Sequence, residues 1–279
     1  MSLIHPYRFA SIDDTLEYTF SLRDYQWEPV QTLRNSYQQG VGASFANRSI
    51  GYAPAPMNTG QHAIRTKPVL ATPAATEQEI ANASATCQRI GVGYLYRILD
   101  DSSEQRCLAT LVEMPRFTMG VGQFRHSNLN FRFEQLGHWK AITSTTGSQL
   151  IDATSETFDI TVGGDLRVID AIFRFRANDS STPMTGPIVF TNAANGMSFT
   201  LTKTFTNIDE EERILCGYAT AEYSSNNGTS YANDHSAIAT PATQVPVMFL
   251  EPDQTNSITV TCTGTPNWNL EWEFFDTFA

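Results

Sequence analysis

Beyond a small, polar and turn-prone stretch at 144–156, apolar and polar positions alternate almost without interruption, and a period of two marks strands with one buried face. "LRVIDAIFRFR" (166–176), "MSFTLTKTF" (197–205), "SITVTC" (257–262) and "WNLEWEFF" (268–275) carry the pattern. Met197, Phe199, Leu201 and Phe205 are expected inward. In the last segment Trp268, Leu270, Trp272 and Phe274 share a face opposite Asn269, Glu271 and Glu273. Turn-forming "GG", "NDSSTP", "AANG", "NNG" and "EPDQ" lie between the strands, which predicts an antiparallel β-sandwich or jelly roll. Its C-terminus is a sheet strand rather than a frayed tail, so removing the last ten residues is expected to unfold it.

The first half reads differently. "TLEYTFSL" (15–22) alternates, with Leu16, Tyr18, Phe20 and Leu22 on one face, and "VGYLYRIL" (92–99), "RCLATLVEM" (106–114) and "LNFRFEQLGHWKA" (129–141) also read as strands. In the last of these, Leu136 falls out of phase beside Gly137, which predicts a bulge. One helix is expected at about 77–90. Thr76 and Glu79 have capping-box spacing, Ile80, Ala83, Cys87 and Ile90 form the apolar stripe, and Gly91 is placed as the C′ glycine. Between Tyr25 and Thr66 the pattern loosens into Gly, Asn, Ser and Pro, yet Tyr37, Phe45, Ile50 and Tyr52 persist. That is too much apolar bulk for an idle linker, and it predicts an extended arm or hairpin (about 25–70) that docks on something.

Charge divides the chain as well. Of 18 Lys/Arg and 29 Asp/Glu, residues 1–145 hold 13 and 12, which leaves 5 and 17 for 146–279. A boundary near 145 separates a near-neutral domain (1–145) from an acidic one (146–279). Neither is basic, so specific nucleic-acid binding is not expected. No apolar run nears the roughly 20 residues that cross a bilayer, and the first residues lack a secretory pattern, so synthesis in a cytoplasm without membrane insertion is expected. Cys87, Cys107, Cys216 and Cys262 stand far apart and are expected to be reduced and mostly buried.

Catalytic signatures are lacking. There is no nucleophile elbow, zinc-protease helix, phosphate loop or calcium loop, and the histidines have no ligand spacing. Adjacent carboxylates at Asp13-Asp14, Asp100-Asp101 and "DEEER" (209–213) would suit a glycosidase only if two faced each other across a cleft, and they read as solvated turns or loops. No catalytic, cofactor-binding or metal-binding residue is assigned. The segment 217–240 sets Tyr218, Tyr223 and Tyr231 among small polar residues. It reads either as a hairpin turning at Asn227-Gly228 with cross-strand tyrosines, or as an outer rim that binds sugar or protein.

The order of parts resembles the distal tail proteins of long-tailed, siphophage-type bacteriophages. In the first domain the helix, "GYLYRIL", "CLATLVEMP" and "LNFRFEQLGHWKA" carry the resemblance. In the second it rests on "GGDLRVIDAIFRF", "GMSFTLT", "FLEPDQTNSITVT" and the aromatic-aromatic-Asp-small-aromatic ending "FFDTF". Where the family often has Pro-Gly and then Asn, this chain has Pro252, Asp253 and a later Asn256, and a type I turn with Pro252 at its second position is expected. The resemblance implies a mainly β protein with a β-barrel-like ring domain bearing one helix and the arm, plus a galectin-like or carbohydrate-binding-module-like sandwich. It further implies a non-enzymatic structural virion protein at the tail tip, forming a homohexameric ring between the tail tube protein and the hub or tail-associated protein, with no cofactor. In some relatives the outer domains hold receptor-binding proteins or tail fibres. The alternative is a glycan-binding adhesion module that uses the sandwich.

Overall fold

The computed structural model describes residues 5–20, 25–27, 36–37, 58–59, 61–68, 73–99, 103–113, 129–178, 186–241, 244 and 247–278. The chain divides into two compact units, Met1–Ile142 and Thr143–Phe278.

In the first unit the described elements are β1 (His5–Ser11), β2 (Glu17–Thr19), β3 (Tyr25–Trp27), β4 (Ser36–Tyr37), β5 (Asn58–Thr59), β6 (Gln61–Pro68), α1 (Pro73–Ile90), β7 (Val92–Ile98), β8 (Glu104–Glu113), β9 (Leu129–Gln135) and β10 (Trp139–Ala141). An antiparallel sheet runs β2-β1-β7-β8-β9-β6-β3. Phe9 on β1 and Phe133 on β9 lie three strands apart in that order, about 14 Å in a flat sheet. Their ring centroids are 4.8 Å apart, so the sheet curls into a barrel-like shell around Phe9, Phe20, Phe131 and Phe133. Both ends of the segment read as an arm belong to this sheet, because β3 and β9 flank β6.

The helix starts a turn earlier than expected. Proline tolerates the first helical turn, where its missing N–H has no partner to lose, and Ala74-Ala75 propagate the helix well, so Thr76 lies inside it and cannot cap it. Glu79, assigned by its spacing to the cap, instead accepts a hydrogen bond from the Tyr18 hydroxyl. The other end is as expected: Ala83, Cys87 and Ile90 are buried, Gly91 has φ +66°, and its N–H donates to Cys87 O. No bulge forms at Leu136. There β9 stops and β10 begins, and both pair with β8, whose own ladder shifts register between Leu111 and Glu113.

The second unit contains β11 (Thr145–Ile151), β12 (Ser155–Thr161), β13 (Ile172–Ala177), β14 (Ile188–Asn192), β15 (Ser198–Leu201), β16 (Glu211–Leu215), β17 (Thr220–Ser224), β18 (Ala232–Asn233), β19 (Ile238–Ala239), β20 (Thr255–Thr261), β21 (Trp268–Phe274) and β22 (Thr277–Phe278). Two antiparallel sheets, β11-β21-β13-β16-β17-β18 and β12-β20-β14-β15-β19, make a sandwich. Its core joins Phe175 to Phe190 (4.9 Å between ring centroids), stacks Phe190 on Phe199 (4.7 Å), and buries Trp268, Leu270 and Phe274. Met197, Phe199, Leu201 and Phe205 all face inward.

Three expectations for this unit need correction. "TTGSQLI", read as turn-prone, is an edge strand that pairs along its whole length with β21. Gly147 is small there because a Cβ would fall 2.3 Å from the Trp272 ring. The strand read over 166–176 is regular only from Ile172, with Leu166 and Val168 making single bridges to Thr277 and Leu250. Asp253 has φ +57°, which a type I turn forbids and a type II turn requires. The "GG" at 163–164 and the terminal "DT" prove complementary. Asp276 accepts the Gly163 N–H at 2.8 Å, and a Cβ on Gly164 would meet Thr277 O at 2.2 Å.

Candidate functional site

Of the arm residues, Tyr37 lies in β4, where it pairs with Asn58 of β5, and Phe45, Ile50 and Tyr52 lie outside the described residues. The rim segment is described throughout. After β17 the chain turns at Asn227 (φ +56°) and Gly228 (φ +73°) and returns as β18, so 217–240 does contain a hairpin. Its tyrosines are not cross-strand partners, since Tyr223 pairs with Ala232.

The three rim tyrosines have different surroundings. Tyr218 is 82% exposed. The Tyr223 ring lies 3.8 Å from the Lys203 ammonium, and its hydroxyl donates to Glu210. The Arg213 guanidinium stacks 3.6 Å from the Tyr231 ring, whose hydroxyl donates to Glu211. Burial and the Glu210 hydrogen bond push the Tyr223 hydroxyl up to about 12, and burial with the Glu211 hydrogen bond raises Tyr231. Burial would raise Glu210, but Tyr223 and the N–H groups of Thr206 and Asn207 outweigh it and lower the carboxyl. Both rings are therefore fastened to the sheet, and only Tyr218 offers a free aromatic face.

Under this rim is a feature the sequence reading missed. "DEEER" is not a solvated loop, because its second half opens β16 and buries Glu211 (1% exposed) and Glu212 (0%). Glu211 faces outward but is bonded to Arg176 and Tyr231 and covered by the turn at Gly228. Glu212 faces inward opposite Phe175. The available signal was parity, since Glu212 shares its face with Ile214 and Cys216, both buried.

Each of the five Lys/Arg side chains of this unit is in an ion pair: Arg167 with Glu251, Arg174 with Glu273, Arg176 with Glu211, Arg213 with Glu222, and Lys203 with Glu212 and Asp234. The cations are used internally, so an approaching molecule meets an excess of negative charge. Among the described residues no three His, Cys, Asp or Glu side chains gather into a metal site. The four cysteines are free thiols, with Cys87, Cys107 and Cys216 buried.

A curled, helix-braced antiparallel shell followed by a two-sheet sandwich defines a mainly β protein of two units. Comparison with protein-family models and with curated proteins finds no match. Among solved structures, the chain is similar to the Dit protein (gp 19.1) of SPP1, described as a paradigm of the hub adsorption apparatus in Gram-positive infecting phages. The TM-score is 0.58 at 9% identity, covering 91% of this chain and 94% of that one. Looser likenesses are to chains of the phage P2 baseplate in its activated conformation, with Ca (TM-score 0.44, 11% identity, 98% of each chain) and with Sr (0.45, 11%, 98% of this chain and 97% of that one). The chain therefore has the fold of a phage distal tail protein.

Proposed function

We propose that this chain is a structural virion protein of the tail tip, closing into a homohexameric ring that joins the tail tube protein to the hub and the host-recognition apparatus. The observation that carries the reading is the likeness to SPP1 Dit, which covers 91% of this chain and so extends over both units. In this reading residues 1–145 form the ring. The segment at about 25–70, with Tyr37, Phe45, Ile50 and Tyr52, contacts neighbouring subunits, because burying large apolar groups is the main stabilising term of such a contact. The domain 146–279 faces outward, where receptor-binding proteins or fibres attach. Its consumed cations and net acidity suit a surface that stays soluble and repels nucleic acid.

The test is the native mass of the purified chain by light scattering, followed by negative-stain imaging. A ring at six times 31.0 kDa is the expected result. Removing residues 38–57, which lie in the chain between β4 and β5 and carry Phe45, Ile50 and Tyr52, is expected to abolish it and leave both units folded. A strict monomer at every concentration, also with tube and hub proteins added, overturns the reading. The exposed Tyr218 ring favours a second reading, a glycan-binding adhesion module. That reading requires a glycan that binds the chain and is lost with Tyr218→Ala.

A further inference from the structure

The ion pairs of the sandwich differ in one respect. Glu251, Glu273, Glu211 and Glu222 each hold a guanidinium within hydrogen-bonding distance. Glu212 does not. Its side chain is fully buried, its nearest cation is Lys203 Nζ at 3.5 Å, and among the described residues neither carboxylate oxygen has a hydrogen-bond partner. Lys203 is bonded instead to Asp234. One ammonium thus serves two carboxylates, and the more deeply buried of them is the one left without a hydrogen bond. A buried carboxylate in that position is costly while ionised, and the cost falls to the smaller one of an unpartnered neutral group when it takes up a proton.

The three side chains come from three separate segments. Glu212 is on β16, Lys203 follows β15 of the opposite sheet, and Asp234 follows β18, the returning strand of the rim hairpin. Asp234 fixes that return: its N–H donates to Ala221 O, and its carbonyl accepts from Ala237 N. Two further neighbours complete the surroundings of Glu212. Tyr223, its cross-strand partner on β17, lies under Lys203 and is bonded to Glu210, and Phe175 on β13 is apolar. With Glu212 ionised the trio carries a net negative charge. With Glu212 protonated it is neutral, and Lys203 belongs to Asp234 alone.

We infer that Glu212, Lys203 and Asp234 form a proton-operated latch on the outer rim: protonation of Glu212 holds residues 225–237 against the sandwich, and its ionisation loosens them. Burial pushes the Glu212 carboxyl up to about 7, Lys203 opposes the rise, and Asp234 adds to it. An ordinary glutamate in the unfolded chain titrates near 4.5. Between those values the folded chain holds a proton that the unfolded chain has released. The stabilising contribution is therefore complete below the lower value, declines through the interval, and is gone above the upper one. The segment under control includes Tyr231, whose hydroxyl bonds to Glu211 and whose ring lies under Arg213, so pH sets how firmly the rim is closed. This inference does not depend on the tail-tip reading.

Calorimetry of the full chain from about pH 5 to pH 8, for wild type and Glu212→Gln, tests the linkage. Hydrogen exchange of the 225–237 peptides, corrected for intrinsic pH dependence, tests its location. The wild-type melting temperature should fall with rising pH relative to the variant, with exchange in 225–237 increasing several-fold in wild type alone. Asp234→Asn should move the midpoint to lower pH, because it removes the repelling charge and gives Lys203 to Glu212. Equal pH slopes in wild type and Glu212→Gln overturn the latch, as does a slope difference without altered exchange in 225–237. If Glu212→Gln does not fold, carboxyl-carbon NMR on the unmodified chain decides. A Glu212 midpoint near neutrality, with rim amides titrating alongside, supports the latch, and an ordinary acidic midpoint overturns it.

Discussion

The two outward faces of the sandwich are built from the same alternation and differ in what the outward residues do. On the six-stranded sheet they are charged. Arg176 on β13 stands opposite Glu211 on β16, Arg213 on β16 opposite Glu222 on β17, and Arg174 on β13 opposite Glu271 on β21, while Arg174 also lies opposite Arg213 and is ion-paired with Glu273. On the five-stranded sheet they are mostly hydroxyls, with Ser155, Thr157 and Thr161 of β12 aligned on Thr261, Thr259 and Thr255 of β20, and a single carboxylate in the β12 row, Asp159, that accepts the Ser257 hydroxyl. Thr157 and Thr259 bond each other at 3.0 Å and need nothing further. At Glu211 the charged face has become interior, because the rim hairpin folds over that carboxylate and leaves it dependent on Arg176 and Tyr231. An outward position by parity is therefore a statement about the strand, and whether it meets water depends on what the next loop does. One face holds specific, irreplaceable pairs, and the other is a β-favouring surface of interchangeable hydroxyls.

Ending the chain at Asn269 has the largest expected effect, since it damages the support common to both faces. β21 lies between β11 and β13, and the deletion takes Leu270 and Phe274 out of the core. Each large buried side chain lost costs about 3–5 kcal/mol, against the roughly 5–15 kcal/mol that holds a domain together. The unfolding transition of the second unit should vanish in calorimetry while that of the first remains. Arg176→Ala comes next and breaks the charged face alone. It strands a 1% exposed carboxylate with a single tyrosine donor, and should cost about 3 kcal/mol by urea denaturation, because an uncompensated buried charge is the expensive outcome. A cost under about 0.5 kcal/mol, the ordinary surface value, would mean the rim opens freely and the face is solvated after all.

Legibility in the sequence followed the apolar residues. Where large side chains marked every second position, as in 197–205 and 268–275, inward and outward were assigned residue by residue and the structure agrees. Where the buried face is marked by something else, the reading failed. β11 reads as turn-prone because its residues are small and polar, yet Gly147 is small there to make room for the Trp272 ring. β16 reads as a loop because it begins with two glutamates, and no local pattern shows that Arg176, 35 residues away, compensates the buried Glu211. The same blindness applied at the rim. The three tyrosines look equivalent along the chain, but cations from other segments, Lys203 and Arg213, claim Tyr223 and Tyr231 and leave Tyr218 presented. The helix start was missed because a capping box is a spacing, and the same spacing occurs inside a helix whose Glu79 serves Tyr18 instead.

The smallest expected effect sharpens the contrast from the other side. Thr157→Val on the hydroxyl face keeps the β-branched shape and loses one exposed hydroxyl bonded only to Thr259, which water can satisfy in its place. Stability should stay within about 0.5 kcal/mol of wild type in urea denaturation. The pairing of Thr157→Val with Thr259→Val tells more, because two adjacent valines bury apolar area against each other while no hydroxyl is stranded. The double variant should equal or slightly exceed wild type, whereas removing Arg176 and Glu211 together should recover most of what Arg176→Ala alone loses. A double valine variant that lost several kcal/mol would show that the hydroxyl row is a specific network, and the distinction between the two faces would then collapse.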